Sequence, residues 1–384
     1  MSIKIGCVIA YKKGHTNYGT ALVGYALVKK LQQLGYDVEI INYIKRYSFI
    51  DKVSIALSQF RVLGWKLFRS HFATSPSNSN YINGIKERTQ SVEDYKERKL
   101  IPLFHDYVGY EALKTGSRNY EAVVVGSDQV WLPAGLKTGF FNLLFVDDSV
   151  RKIAYASSFG VSEIPQFQKK DTAHYLDRFY RISVREQKGK EIVDNLSHNK
   201  ADVVADPTLL LNANDWAEEV KHSKVNTSVP YIFCYFLGTS PEARKAANML
   251  KQMTGYKIVT LKHMDEFVPA DEKFGDDAPY NIDPNDFVKY IKDATYVLTD
   301  SFHCSAFSIQ FHKPFLVFYR FAIGNRSGRN SRIDSLFNVM GIPNTHIFNG
   351  DVTQINAPID WESVDSHRDK LVNDSVSFIR EALL

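Results

Sequence analysis

The chain has 384 residues, too many for one ordinary core, and a prior of roughly 150 residues per domain points to two domains. With 44% hydrophobic and 23% charged residues the whole length is expected to fold, and a net charge of only +4 excludes a dedicated nucleic-acid binder, so any phosphate site must be local. Cys7, Cys234 and Cys304 are odd in number and show no disulfide or zinc spacing, which fits a reducing, cytoplasmic setting.

The N-terminus runs directly into a short apolar strand, without the long apolar region and cleavage site of a signal peptide, and no stretch approaches the roughly 18 apolar residues that span a bilayer. Residues Ile3 to Ala10 read as a strand, Lys12 to Gly19 as a turn-rich loop, Ala21 to Leu34 as a helix and Val38 to Tyr43 as a second strand. Gly35 stands where a helix C-terminal glycine belongs, and the unit reads as a Rossmann-like β-loop-α-β. The pattern then breaks, and residues from about 44 to 115 read as an insertion, helical from Ile44 to His71 and with a loop at Thr74 to Asn83. Strands resume at Ala122 to Val125, Lys152 to Ser157, Arg181 to Val184 and Ala201 to Val204, separated by helical stretches, as in a parallel sheet.

Asp206-Pro207 reads as the exit from a first domain spanning residues 1 to 210. A second Rossmann-like domain, 211 to 362, follows with strands at Tyr231 to Phe236, Lys257 to Leu261, Tyr296 to Leu298 and Phe315 to Phe318. Its helices are expected at Pro241 to Thr254, Pro284 to Ala294 and Ser301 to Phe311, and a last helix, 363 to 384, could cross back to the first domain. Two such domains facing a cleft resemble the GT-B architecture of glycosyltransferases.

Four segments carry chemistry. The loop HTNYGT, with His15, Asn17 and Gly19, precedes a helix N-terminus, where unpaired backbone N–H groups can take an anion or a substrate hydroxyl; it reads equally as a plain loop capped by Asn17 or Thr20. In VVVGSDQVW a buried strand ends in Gly126-Ser127-Asp128, which puts Ser127 at the cleft and makes Asp128 a candidate base, against the alternative of a helix cap. The strand RISV ends at Arg185, whose planar guanidinium suits a carboxylate or phosphate, or else a salt bridge to Glu186 or another acid. In YVLTDSFHCSAFSIQFHKPF, His303 falls in a first helical turn, with Asp300 placed to cap that helix and orient the imidazole; His312, at the far end, reads as structural.

The ordered set of an Asn/Gly loop after the first strand, GSDQVW, ISVRE, VVADPTLLL and TDSFHCSAFSIQFHKPF resembles the polysaccharide pyruvyl transferase family over nearly the whole chain. The resemblance implies a GT-B-like transferase that moves pyruvate, as a ketal, from phosphoenolpyruvate to a pair of sugar hydroxyls on a cell-surface glycan or its lipid-linked precursor. It implies no required metal and no cofactor beyond that co-substrate. Carried over by residue, Arg185 matches the family's donor-binding arginine and His303 its donor-binding or catalytic histidine, with Asp300 and Ser301 beside it. Where many members have Arg-Leu-His, this chain has Ser301-Phe302-His303, so one donor-binding cation is absent from its usual place. Arg326, Arg329 and Arg332, in the loop RSGRNSR, could supply it. The rival readings are a GT-B glycosyltransferase using a nucleotide sugar and a non-catalytic glycan-assembly protein of the same fold.

Charge is concentrated in one place. From Tyr43 to His71 there are six cations (Lys45, Arg46, Lys52, Arg61, Lys66 and Arg69) and one acid, Asp51. Aromatic and aliphatic residues interleave with them, as in a helix packed on a core or, alternatively, an amphipathic segment at an anionic membrane surface.

Overall fold

The computed structural model describes residues 3–64, 79–264, 267–320 and 330–384. Seven strands form one sheet: β1 (Lys4–Val8), β2 (Asp37–Ile44), β3 (Phe104–Val108), β4 (Ala122–Val125), β5 (Arg151–Ser157), β6 (Arg181–Val184) and β7 (Ala201–Val203). All are parallel, in the order β3-β2-β1-β4-β5-β6-β7. A second parallel sheet has the order β11-β10-β8-β9, from β8 (Tyr231–Tyr235), β9 (Lys257–Thr260), β10 (Tyr296–Thr299) and β11 (Phe315–Val317). Central strands such as β4, with the sequence AVVV, are buried throughout because helices cover both faces, which is why they read as unbroken apolar runs.

The helices are α1 (Tyr18–Gln33), α2 (Phe49–Leu63), α3 (Ser79–Lys99), α4 (Tyr110–Gly116), α5 (Lys169–Leu176), α6 (Gln187–Leu196), α7 (Pro207–Leu210), α8 (Ala213–Glu219), α9 (Pro241–Thr254), α10 (Pro284–Asp293), α11 (Phe302–Gln310), α12 (Ser331–Met340) and α13 (Trp361–Leu383). Helix α1 starts where the Asn17 side chain accepts the Thr20 N–H. It ends in a Schellman turn: the Gly35 and Tyr36 N–H groups donate to the Gln32 and Leu31 carbonyls, and Gly35 takes φ 92°. None of the described helices is long and apolar enough to cross a membrane.

The stretch read as an insertion contributes to the sheet. Strand β3 extends it beyond β2, in register from Ile40↔Phe104 to Ile44↔Val108. Only Tyr107 of β3 is buried, so this edge strand lacks the apolar pattern that marks its neighbours. Residues 79–83, expected in a loop, open α3, whereas residues 65–78, with Lys66, Arg69 and the start of that loop, lie outside the described residues.

Helix α3 braces the two domains. The fully buried Arg88 donates from Nε to the Tyr280 carbonyl (2.8 Å) and from Nη2 to the Pro279 carbonyl (3.0 Å), and its guanidinium lies 5.0 Å from the ring centre of Tyr18 on α1. Tyr18 in turn stacks on Phe287 of α10, 4.9 Å between centres, and one continuous apolar cluster runs from β1 and α1 into the second domain. Helix α13 returns to the first domain, where Ser375 Oγ accepts the Ala205 N–H at 2.9 Å and the Leu383 carbonyl accepts from Arg151. We expect Arg88→Leu, which strands two partly buried carbonyls, to lower the unfolding free energy by about 1 to 3 kcal/mol. A urea titration checks this; a loss below about 0.5 kcal/mol would mean that the brace is dispensable.

Candidate active site

Open parallel sheets leave a crevice where strand order reverses, because neighbouring connections leave toward opposite faces. In the first sheet that point lies between β1 and β4, and in the second between β8 and β10. The two crevices face each other across one cavity of about 560 Å³. The loop after β1 and the loop after β4 line it from one side, and the ends of β8 and β10 from the other.

The tips of two helices meet there. Asn17, Gly19 and Thr20 at the start of α1, and Ser301, Phe302 and His303 at the start of α11, all line the cavity. Ser301, not Asp300, caps α11, its Oγ accepting from the Cys304 N–H. A Cβ on Gly19 would stand 2.1 Å from His303 Nδ1, so only glycine lets the imidazole pack against α1. The loop before α1 is clamped by buried Lys96 of α3, whose ammonium donates to the carbonyls of Lys12 and His15 at 3.1 Å each and to Glu93 at 2.8 Å. His15 and Lys12 thereby face the cavity.

Beneath the cavity floor lies a buried charge cluster. Arg185 Nη1 donates to Asp206 at 2.8 Å, and Arg185 lies 3.8 Å from Asp128 and 3.6 Å from Glu186. The Phe302 ring covers the guanidinium at 4.7 Å. Asp206 caps α7, accepting from the Thr208 backbone and hydroxyl, and its Oδ2 stands 3.8 Å from His303 Nε2. That separation is an ion-pair distance and too long for a hydrogen bond. Burial pushes the Asp206 carboxyl up, but His303 and Arg185 outweigh it and hold the group well below the usual carboxylate range. The same balance lowers Asp128, where Arg185, His303, the Thr20 hydroxyl (2.7 Å) and Arg332 overcome burial. Asp128 is held at φ 74° and the bulged neighbour Ala156 at φ 50°, left-handed geometry that a non-glycine residue keeps only when its surroundings enforce it.

The structure sorts the residues singled out in the sequence. His15, Asn17, Gly19, Asp128, Ser301, His303 and Arg332 all line the cavity. Arg185 is not among the lining residues: it is buried and donates from Nη1 to Asp206, with Asp128 and Glu186 at 3.8 and 3.6 Å and its Nε and Nη2 without hydrogen-bond partners. Ser127 is buried and spends its hydroxyl on the Ala156 carbonyl. Asp300 accepts the N–H groups of Leu237 and Gly238 at 2.7 Å each, stitching the end of β8 to the end of β10, and it does not reach His303; Asp206 stands there instead. Burial pushes the Asp300 carboxyl up against the opposing pull of Arg320. Arg326 and Arg329 lie outside the described residues. His312 pairs with Asp365 and stacks on Trp361, remote from the cavity. Cys304 is buried, and burial pushes its thiol up to about 12, so it is no nucleophile at neutral pH.

Three residues that matter were missed. Asp206 read only as the stop before a proline, although a carboxylate before Pro-Thr is also a helix cap. Thr20 was seen only as a possible cap. Arg320, just after β11, lines the cavity and donates to the Asp300 carbonyl at 2.9 Å; nothing local in the sequence distinguishes it. Lys12, Lys45, Arg320 and Arg332 thus surround the cavity with four cations, and Asp128 is the one carboxylate lining it among the described residues. Arg332 Nε has no hydrogen-bond partner, and burial beside Arg185 pushes its guanidinium down to about 9. It remains charged at neutral pH and gains from any anion that partners it.

A family model described as polysaccharide pyruvyl transferase matches residues 17–320. None of the curated proteins compared matches the chain. Among solved structures, a UDP-N-acetylglucosamine 2-epimerase is 10% identical, with 97% of this chain and 95% of that chain covered and a TM-score of 0.52. A UDP-GlcNAc 2-epimerase from Neisseria meningitidis bound to UDP-GlcNAc is also 10% identical, with coverage of 100% and 99% and a TM-score of 0.49. At such identity the likeness is one of fold, two facing α/β domains of the GT-B type.

Gly19→Ala is expected to displace His303 and to cost at least about tenfold in any activity that uses it, with the fold retained by circular dichroism. Activity within twofold of wild type would contradict the contact. Because Asp206 is depressed in the folded state, its stabilisation is complete above about pH 4 and is lost as pH falls below that value. Asp206→Asn should therefore be less stable at pH 7 and should show a flatter decline of stability between about pH 4 and 2. Parallel acid limbs for the two proteins would show that Asp206 carries none of this stability.

Proposed function

Because the chain belongs to the polysaccharide pyruvyl transferase family, we propose that it transfers pyruvate as a ketal from phosphoenolpyruvate to two hydroxyls of a glycan or its lipid-linked precursor. The observation that carries this reading is the charge of the cavity, four Lys/Arg side chains and two helix N-termini against a single carboxylate, which suits a small polyanion. Arg332 and Arg320, rather than Arg185, are the cations that touch the donor. Between them they take the place of the arginine that the Ser301-Phe302-His303 sequence lacks.

Ketal formation begins with a proton delivered to the donor's methylene carbon, which becomes a methyl group and leaves an oxocarbenium-like centre at C2. One sugar hydroxyl attacks that centre, the C–O bond to phosphate breaks, and the second hydroxyl closes the ketal. Of the two hydroxyl protons released, one replaces the proton spent on the methyl group and the other leaves with inorganic phosphate. His303 is the proton donor. Asp206 lies 3.8 Å from Nε2, and Gly19 leaves the room beside Nδ1 that lets the ring stand in the cavity wall. Asp128, kept ionised by Arg185 and His303, receives the hydroxyl's hydrogen bond and opposes the developing positive charge. Arg185 acts through Asp128 and Asp206 and is a positioning residue. The three cysteines are free and buried, which fits a reaction carried out in a reducing cytoplasm.

Calorimetry on the purified protein tests the donor, with phosphoenolpyruvate titrated beside a panel of nucleotide sugars. Binding of phosphoenolpyruvate, weakened about 10- to 100-fold in Arg332→Gln, is expected; binding of a nucleotide sugar alone would replace this reading by a glycosyltransferase. His303→Ala should abolish turnover, His312→Ala should not, and a chelator should leave the rate unchanged, because side-chain cations hold the donor's charge. Loss of activity in chelator, restored by magnesium, would contradict the last point.

A further inference from the structure

Helix α2 has the stability devices of an ordinary surface helix but the wrong face outward. A capping box holds its start, with Ser48 accepting the Asp51 N–H and the Asp51 carboxylate accepting the Ser48 N–H. Its inner side, with Ile55 and Val62 only partly covered, packs on residues 133–138, and no residue of the helix is fully buried. Phe49, Ile50, Val53 and Leu57 recur at helical spacing on the opposite side, exposed by 81%, 77%, 41% and 60%. Phe167, itself 42% exposed, continues this surface through Arg61, whose guanidinium lies 4.2 Å from its ring centre. An apolar stripe that the described residues leave this exposed is a contact surface rather than part of a core.

The charges around the stripe name the occupant. Lys52 and Arg61 flank it on the helix, and exposed Lys45 and Arg46 precede it. The single acid of the segment, Asp51, is occupied by the capping box. We propose that α2 lies in the surface of an anionic lipid bilayer, its apolar stripe among the acyl chains and its cations at the headgroups. None of the residues of α2 lines the cavity, yet Tyr43 and Lys45, a few residues before it, do. Docking therefore sets the cavity beside the membrane surface, where an acceptor carried on a lipid would be presented. The proposal stands on α2 and holds whatever donor the cavity binds.

Sedimentation of the full chain with phosphatidylglycerol/phosphatidylcholine vesicles, beside pure phosphatidylcholine vesicles, tests it. Wild type should bind the anionic vesicles at low salt and be released as salt rises. Neutralising Lys52 and Arg61 as Lys52→Gln/Arg61→Gln should weaken partitioning about fivefold per charge. Phe49→Asp/Ile50→Asp should abolish binding while leaving phosphoenolpyruvate affinity and the circular dichroism spectrum unchanged, since carboxylates in a first helical turn favour the helix. Absence of wild-type binding to anionic vesicles, or binding that the double Asp variant retains, overturns the proposal. So does a wild type that stays off vesicles and forms a dimer split by the same variant, which would assign the stripe to a second copy of the chain. Vesicle binding needs no donor and donor binding needs no vesicle, so failure of this proposal and failure of the pyruvyl transfer reading remain separate results.

Discussion

A guanidinium taken out of water has to be surrounded by charge and polar atoms, and the burial of Arg185 imposes that requirement on the centre of this molecule. Its compensation comes from three carboxylates that the chain supplies from the ends of different strands and from the turn before α7. Without the guanidinium the three carboxylates would face one another uncompensated, so the cluster ties β4, β6 and α7 together beneath the cavity. Through the same cluster Asp206 reaches His303, which the second domain contributes. The cavity floor and the packing of the two domains thus share one network. The apolar contact of Tyr18 with Phe287 and the Arg88 brace hold the distance over which that network acts.

Much of this was legible in the sequence because the cues were local. Unbroken apolar runs marked the central strands, Asn17 and Gly35 marked the ends of α1, and each of the four chemical segments falls at the end of a strand or the start of a helix. What the sequence hid was pairing at a distance. Arg185 reads in sequence as an anion clamp or a salt-bridge partner alike, and its hydrogen-bonding acid, Asp206, lies 21 residues away. Asp300 reads as the partner of His303, yet its carboxylate lies on the backbone N–H groups of Leu237 and Gly238. Strand β3 escaped notice for a different reason: at a sheet edge one face meets water, and its sequence FHDYV keeps a single buried residue.

Two of the four non-glycine residues at positive φ among the described residues fall at the cavity floor. Asp128 and Ala156 adopt left-handed backbone angles side by side, at the ends of β4 and β5, and the Asp128 carbonyl accepts the Ser158 N–H. A relaxed strand end would turn the Asp128 carboxylate elsewhere. The bulge in β5 and the hydrogen bond from Thr20 hold it instead toward the cavity, so that the first domain stores strain and the second domain, through His303 and Arg332, meets the charge that this strain presents.

The cavity wall is divided between the domains, and the division has an evolutionary consequence. Arg320, Arg332, Ser301 and His303 come from the second domain, whereas Asn42, Tyr43, Phe104, Phe140 and Phe141 form a rim on the first. Sequence drift in that rim of rings alters shape and stacking without touching the cations opposite. A lineage descended from such a chain can therefore reshape this rim one aromatic residue at a time while inheriting Arg320 and Arg332 intact. His303 and Arg332 have less such freedom, because both stand against the buried charges below.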